Sequence, residues 1–233
     1  MAERASIADN LARIRERIAT AAAGAGRRPE EVLLVAVSKG VESERIEQAI
    51  RAGVTDLGEN YLQEALQKRA QVHLPAKWHF IGHLQRNKVK RALELFDIIQ
   101  SVDSLALAQE ISRRAEAAGR TAEILLEVNT SGETSKFGFE PGQASALAEA
   151  VSALPALRLL GLMTIGRFEP DPQAARGEFR LLASLFRELG RRELPKVEMR
   201  WLSMGMTHDF EVAIEEGANL VRIGRGIFGS RPG

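Results

Sequence analysis

The chain has 233 residues, no cysteine, and 32 Lys and Arg against 31 Asp and Glu, a net charge of +1. These numbers exclude disulfides, thiolate metal sites and thiol nucleophiles, fit a reducing cytoplasmic setting, and show none of the basic excess of nucleic-acid or membrane-surface binders. With 45% hydrophobic and 27% charged residues, the composition is ordinarily globular, and no apolar run approaches the ~20 residues of a bilayer span.

The first predicted element is an amphipathic helix, with Ile7, Leu11, Ile14 and Ile18 recurring at spacings of three and four. The mixed charges of this segment leave no apolar block of the signal-peptide kind. Eight short apolar runs follow, predicted as buried strands at 32–37, 55–59, 78–82, 97–102, 122–129, 157–164, 200–204 and 219–224. Helical patterns separate them, and Gly53, Gly119, Gly190 and Gly217 are placed to end such helices in the left-handed conformation. Strands apolar on both faces and alternating with helices specify a parallel sheet with helical cover. An open doubly wound sheet and a closed (β/α)8 barrel both satisfy that pattern. The count of eight strands favours the barrel, as does the placement of polar residues. Lys39, Glu59 with Asn60, His83, Asp103, Asn129, Thr164, Ser203 and Arg222 all fall at or just past a strand's C-terminal end, and a barrel gathers all eight ends at one mouth. No linker or repeat divides the chain, so one domain over residues 1–233 is expected.

Three features could carry chemistry. Lys39 closes the fully apolar run of "VLLVAVSKG"; desolvation there would favour the neutral amine and make it a nucleophile for carbonyl groups. A solvated loop lysine satisfies the same pattern. The segment "LVRIGRGIFGSRPG" contains G-x-G-x-x-G at Gly224, Gly226 and Gly229. It fails as a dinucleotide fingerprint, since no βαβ unit follows it. As a phosphate cradle it suits the late strands of a barrel, with Ser203, Gly205 and Thr207 as the neighbouring wall, although plain turn chemistry explains the glycines equally. Thr207 is also placed to N-cap a helix starting near His208. Arg222 lies inside an apolar strand and needs a ligand or a carboxylate, Glu59 and Glu127 being the candidates. His79 and His83 lie on a strand pattern and lack metal-pair geometry, while Thr207, His208 and Asp209 are too close in sequence for a nucleophile triad. Lys136 reads as an ordinary loop lysine. A barrel aldolase or isomerase using Lys39 on a sugar phosphate remains compatible with these features.

Taken together, the strings "VAVSK" (35–39), "GENYLQEA" (58–65), "WHFIGHLQRNK" (78–88), "SVDS" (101–104), "VNTSGETSKFG" (128–138), "GLMTIG" (161–166), "LSMGMTHDFEVAI" (202–214) and "VRIGRGIFGSR" (221–231) resemble the YggS/PROSC family of pyridoxal phosphate homeostasis proteins. The resemblance runs over nearly the whole chain, with the strings in the family's order. It implies a fold similar to the barrel domain of alanine racemase, preceded by an N-terminal helix. It further implies a Schiff base between Lys39 and pyridoxal 5′-phosphate, a phosphate site from Ser203, Gly205 and Thr207 with the backbone of Gly224 and Arg225, and Arg222 as partner of the pyridine nitrogen. Asn60, His83, Asn129, Lys136 and Met163 would line the mouth, Lys136 as a second amine able to engage or relay the cofactor. Thr207 stands where the family more often has Ser, and Gly40 where Thr is common.

The implied role is storage and delivery of the cofactor to apo-enzymes by a cytoplasmic monomer, without robust catalysis. A cationic partner disfavours protonation of the ring nitrogen, which weakens the ring as an electron sink. Racemisation needs two opposed acid/base groups. Alanine racemase takes one, a tyrosine, from a second domain that is not expected here, and the sole tyrosine is Tyr61, after the second strand. The alternative is a racemase-like enzyme acting on an amino acid.

Overall fold

The computed structural model describes residues 6–133, 136–167 and 170–229. Thr134, Ser135, Ser230 and Arg231, which belong to two of the strings above, lie outside the described residues. Eight parallel strands close into a barrel in sequence order: β1 (Leu33–Val37), β2 (Asp56–Glu59), β3 (Lys77–Phe80), β4 (Ile98–Val102), β5 (Ala122–Glu127), β6 (Leu157–Met163), β7 (Val197–Met206) and β8 (Leu220–Ile223). Helices α2 (Ser43–Arg51), α3 (Leu62–Gln71), α4 (Val89–Leu95), α5 (Leu105–Ala117), α6 (Ala144–Ala153), α7 (Arg176–Gly190) and α8 (Phe210–Glu215) alternate with the strands. The preceding helix is α1 (Ile7–Gly24), and a single turn, α9 (Arg225–Phe228), follows β8. The predicted (β/α)8 barrel is the observed fold.

Alternation along the strands divides the core. Side chains such as Trp78, Phe80, Leu57 and Ile124 are fully buried in the large core that includes the inner faces of the helices. A separate cluster of Ile98, Leu125, Leu160 and Met163, with Trp201 against it, is contributed by β4 to β7. Residues two along from these on β4 and β7 are polar (Gln100 and Ser203) and equally buried. The polar layer therefore sits on an apolar one, towards the strands' C-terminal ends.

Two expectations need correction. Strand β7 is longer than 200–204 because its first half alternates, with Val197, Met199 and Trp201 partly covered and Glu198 and Arg200 exposed. A search for runs apolar on both faces overlooks such a half-covered strand. Gly53, Gly119 and Gly217 do have positive φ just past their helices, but Gly190 is the last helical residue of α7, packed near Met199. The left-handed position before β7 is taken instead by Lys196, at φ 61°. Between β6 and β7, Gly161 is needed for close approach: a Cβ there would lie 1.9 Å from the Trp201 carbonyl oxygen.

Helix α1 begins with a Ser6–Asp9 capping box and buries Ile7, Leu11, Ile14 and Ile18, as its spacing predicts. Asn10 Nδ2 donates to the Ile227 carbonyl at 2.8 Å, Arg27 donates to the Ala218 carbonyl at 2.7 Å, and Arg17 pairs with Glu211. The helix thus braces α8 and α9, the two elements flanking β8. Leu11, 1% exposed, is the most buried of the four large apolar side chains of this helix. Leu11→Ala is expected to cost about 2–4 kcal/mol, seen as a lower urea midpoint with an unchanged denaturant slope.

Candidate functional site

Burying a guanidinium requires partners for its donors, and Arg222, 3% exposed on β8, finds them inside the barrel. Nη1 donates to Ser203 Oγ at 2.5 Å and Nη2 to the Thr164 carbonyl at 2.7 Å. Ser203 Oγ donates in turn to Gln100 Oε1 at 2.6 Å. Gln100 Nε2 then donates to His79 Nδ1 at 2.8 Å, and His79 Nε2 to Asp56 Oδ1 at 2.9 Å. The amide of Gln100 donates to Nδ1 and the carboxylate of Asp56 accepts from Nε2, so the row runs in one direction from Arg222 to Asp56. Burial opposes ionisation of Asp56, but hydrogen bonds from His79 and Thr55 outweigh it and hold the carboxyl below its usual range. Burial pushes the Arg222 guanidinium down to about 10, with Asp209 and Glu127 pulling it back, so it stays charged at neutral pH.

Above this layer a cavity of about 230 Å³ opens at the C-terminal ends of β1, β7 and β8. Six of the predicted site residues line it: Lys39, Asn60, Thr207, Arg222, Gly224 and Arg225. Lys39 is half-buried, with Nζ 4.7 Å from the centre of the Tyr61 ring. Thr207 follows β7, and its Oγ1 accepts the Gly226 N–H at 3.4 Å. The wall is completed by apolar side chains including Val37 and Ile81, and by Asp209 and Arg167. A larger hollow of about 880 Å³ lies at the opposite end, beside Val32–Leu34, Val54 and Asn219. Two of its arginines are already committed, Arg15 to the carbonyls of Ala52 and Gly53 and Arg27 to those of Ile214 and Ala218. It lacks the strand-end polar groups that the chemistry needs.

The remaining predicted residues stand elsewhere. Ser203 is fully buried and spent on Arg222 and Gln100, in the layer beneath the cavity. Gly205, at φ +89°, permits close packing of β7 on α8, since a Cβ would lie 2.6 Å from Ala213 Cβ. Neither lines the cavity, and of the expected Ser203–Gly205–Thr207 wall only Thr207 does. Met163, the last residue of β6 and in register with Ser203, is fully buried in the apolar cluster. His83 Nδ1 donates to Asp103 Oδ2 at 3.0 Å and the ring stacks on Phe137 at 3.8 Å, outside the cavity lining. Asn129 Nδ2 donates to the Glu133 carbonyl at 2.8 Å, and Lys136 Nζ lies 3.5 Å from Glu133 Oε1, so both belong to the β5–α6 loop rather than to the cavity. Thr207 does not cap α8: the N-cap is Asp209, whose carboxylate instead accepts the Met206 N–H at 2.6 Å. Arg222 makes no ion pair with Glu59, which is bound to Lys68 at 2.6 Å.

Sequence reasoning missed Arg167, which lines the cavity and pairs with Glu178 at 3.1 Å and Glu133 at 3.3 Å. It lies in a loop, where no periodicity marks it. Among the described residues no group of three or more His, Cys, Asp or Glu side chains could hold a metal ion.

Glu127, at the end of β5 and 4% exposed, has the most displaced acidity near the site. Burial, reinforced by the negative charge of Asp103 and opposed by Arg222, pushes its carboxyl up to about 7. The folded protein therefore binds this proton more tightly than the unfolded chain does. Its contribution to stability is fully present below the ordinary value of 4.5 and is lost as the pH rises through about 7. Glu127→Gln is expected to exceed the wild type in stability by ~1–3 kcal/mol at about pH 8.5 and to match it near pH 5. Urea titrations at the two pH values check the sign.

A profile of the alanine racemase N-terminal domain matches residues 9–232. The pyridoxal phosphate homeostasis protein of Pseudomonas aeruginosa is 46% identical over 227 residues, 97% of this chain and 96% of that protein. The protein of the same name from Aquifex aeolicus is 44% identical over 224 residues, 96% of this chain and 97% of its own. Among solved structures, PipY of Synechococcus elongatus with PLP bound has a TM-score of 0.83 at 34% identity, covering 96% of this chain and 100% of PipY. An alanine racemase from Clostridium difficile shares the fold, with a TM-score of 0.74 at 16% identity over 97% of this chain and 58% of that one. A barrel whose strand ends gather Lys39, Thr207 and Arg222 around one cavity, with these relatives over nearly its full length, belongs to the alanine racemase N-terminal domain family, on the branch of the pyridoxal phosphate homeostasis proteins.

Proposed function

We propose that the protein holds pyridoxal 5′-phosphate covalently on the Lys39 amine, and stores and delivers it to apo-enzymes without turning over an amino acid. The observation that carries this reading is the single cavity onto which Lys39, Arg222, Thr207 and Gly224 all open. The cofactor supplies an aldehyde, a phosphate ester and a pyridine nitrogen. The donor set fits those groups: an amine at the rim, a fixed guanidinium in the floor, and a hydroxyl beside a glycine turn. Lys39 would hold the aldehyde carbon, Arg222 would donate to the ring nitrogen, and Thr207 with the backbone of Gly224 and Arg225 would bind the phosphate.

Two features support holding over catalysis. Arg222 is fixed as a donor by Ser203 and Thr164 and remains charged, so it does not deliver a proton to a ring nitrogen as a carboxylic acid would. The Tyr61 ring lies against the Lys39 amine itself, 4.7 Å from Nζ, which does not favour a role as an acid opposed to that amine. No helix among the described residues is long and apolar enough to cross a membrane. We place the protein in the cytoplasm, as a monomer.

Borohydride reduction of the protein loaded with one equivalent of cofactor, followed by peptide mapping, tests the assignment. The phosphopyridoxyl label is expected on Lys39, and Lys39→Ala is expected to release the cofactor on dialysis at least ~10-fold faster. Label confined to other lysines would overturn the site, and sustained racemisation or decarboxylation of any amino acid would overturn the carrier role.

A further inference from the structure

A second set of buried charges lies behind the Lys39 loop, outside the cavity lining. Lys68 on α3 is 7% exposed. It donates to the Ser38 carbonyl at 2.6 Å, to Glu59 Oε1 at 2.6 Å and to Glu64 Oε2 at 3.1 Å. Ser38 Oγ donates to the same Glu59 oxygen at 2.6 Å, and Glu64 Oε2 accepts the Gly40 N–H at 2.8 Å. The residues on either side of Lys39 are thus tied to one triad, Ser38 by its carbonyl and hydroxyl and Gly40 by its amide.

As a device for stability the triad is poor. Glu59 is fully buried and its Oε2 has no hydrogen-bond partner. Desolvation of such groups commonly cancels their mutual attraction, so well-packed apolar residues would serve the fold as well. What the triad supplies is geometry. Gly40 sits at φ +67°, in a turn closed by the Val41 N–H on the Ser38 carbonyl at 2.9 Å. Glycine leaves the backbone loosest at that point, directly after the lysine that must present its amine to the cavity. The carboxylate of Glu64 restrains the turn from outside, where no side chain at position 40 can.

We propose that Glu64, with Lys68 and Glu59, is a positioning residue for Lys39: it fixes the Ser38–Gly40 turn to α3 and so sets how fast the cofactor leaves. The proposal rests on Lys39 being the holding amine. Glu64 is one-third exposed on a helix that tolerates alanine, so its variants should fold.

The test has two readouts. In the cofactor-free protein, hydrogen exchange at the Gly40 amide is followed in wild type, Glu64→Ala and Glu64→Gln. The alanine variant is expected to exchange about tenfold faster or more, with little change in melting temperature, while the glutamine variant keeps an acceptor oxygen and most of the protection. In the loaded protein, decay of the visible absorbance in excess aminooxy reagent is expected to run about three- to tenfold faster in Glu64→Ala and near the wild-type rate in Glu64→Gln. Unchanged Gly40 exchange in Glu64→Ala overturns the restraint, and raised exchange with an unchanged decay rate overturns its link to retention. If the reduced wild-type protein carried no label on Lys39, the reading of that residue would fail, while the Gly40 measurement would still decide whether Glu64 holds the turn.

Discussion

A positive charge buried under the mouth of a closed barrel is the constraint around which the upper half of this molecule is arranged. Arg222 brings only donors into a space without bulk water, so each neighbour must accept, and the requirement passes from Ser203 through Gln100 and His79 to Asp56. The last member is a carboxylate kept ionised by its hydrogen bonds. The row thus has a cation at one end and an anion at the other, with each polar link satisfied in one direction. Beneath it, Ile98, Leu125 and Leu160 fill the barrel with apolar volume, which Met163 extends to the level of Ser203. The floor of the cavity is therefore held by internal hydrogen bonds and packing, and these orient Arg222 without needing a ligand.

The fold was legible because parallel strands buried on both faces leave a strong mark: short apolar runs, alternating with amphipathic helices, eight times over. What escaped were features without that mark. The outer half of β7 alternates instead of running apolar, and Gly190 packs against Met199 within the helix end instead of turning the chain. Lys39 and Arg222 were legible as candidates because one closes an apolar run and the other interrupts an apolar strand, which needs a chemical reason. Ser203 and Gly205 do not share the cavity wall with Thr207, as their nearness in sequence suggested. On a strand, alternate residues share a face, but a register shift between Ser203 and Met206 and the positive φ at Gly205 break the alternation before Thr207. Arg167 reaches the cavity from a loop, through ion pairs to Glu133 and Glu178 that only the folded chain brings together.

The three glycines of the G-x-G-x-x-G run show how one motif divides its labour. Gly224 lines the cavity, with Val37 close beside it. At Gly226 a Cβ would lie 3.0 Å from the tip of Ile14, so this glycine serves the seating of α1. Gly229, at φ +78°, ends α9. Anion binding and turn chemistry were competing readings of the same run; Gly229 is a turn position, Gly226 a packing position, and Gly224 lies beside the cavity.

These arrangements bear on why a barrel related to alanine racemase would hold a cofactor rather than use it. Carbanion chemistry gains from a ring nitrogen that takes a proton, and a partner that only donates, and that stays charged at neutral pH because Asp209 and Glu127 offset part of the effect of burial, opposes that gain. The carboxyl with the most shifted acidity, Glu127, lies in the buried wall and is not among the groups lining the cavity, so its proton is not presented to a bound ligand. Tyr61 lies over the amine it would have to oppose. On the proposed reading, an aldehyde linked to Lys39 would be bound, oriented and shielded there while the steps after linkage stayed unfavourable, and the contacts that disfavour catalysis would leave its hold reversible.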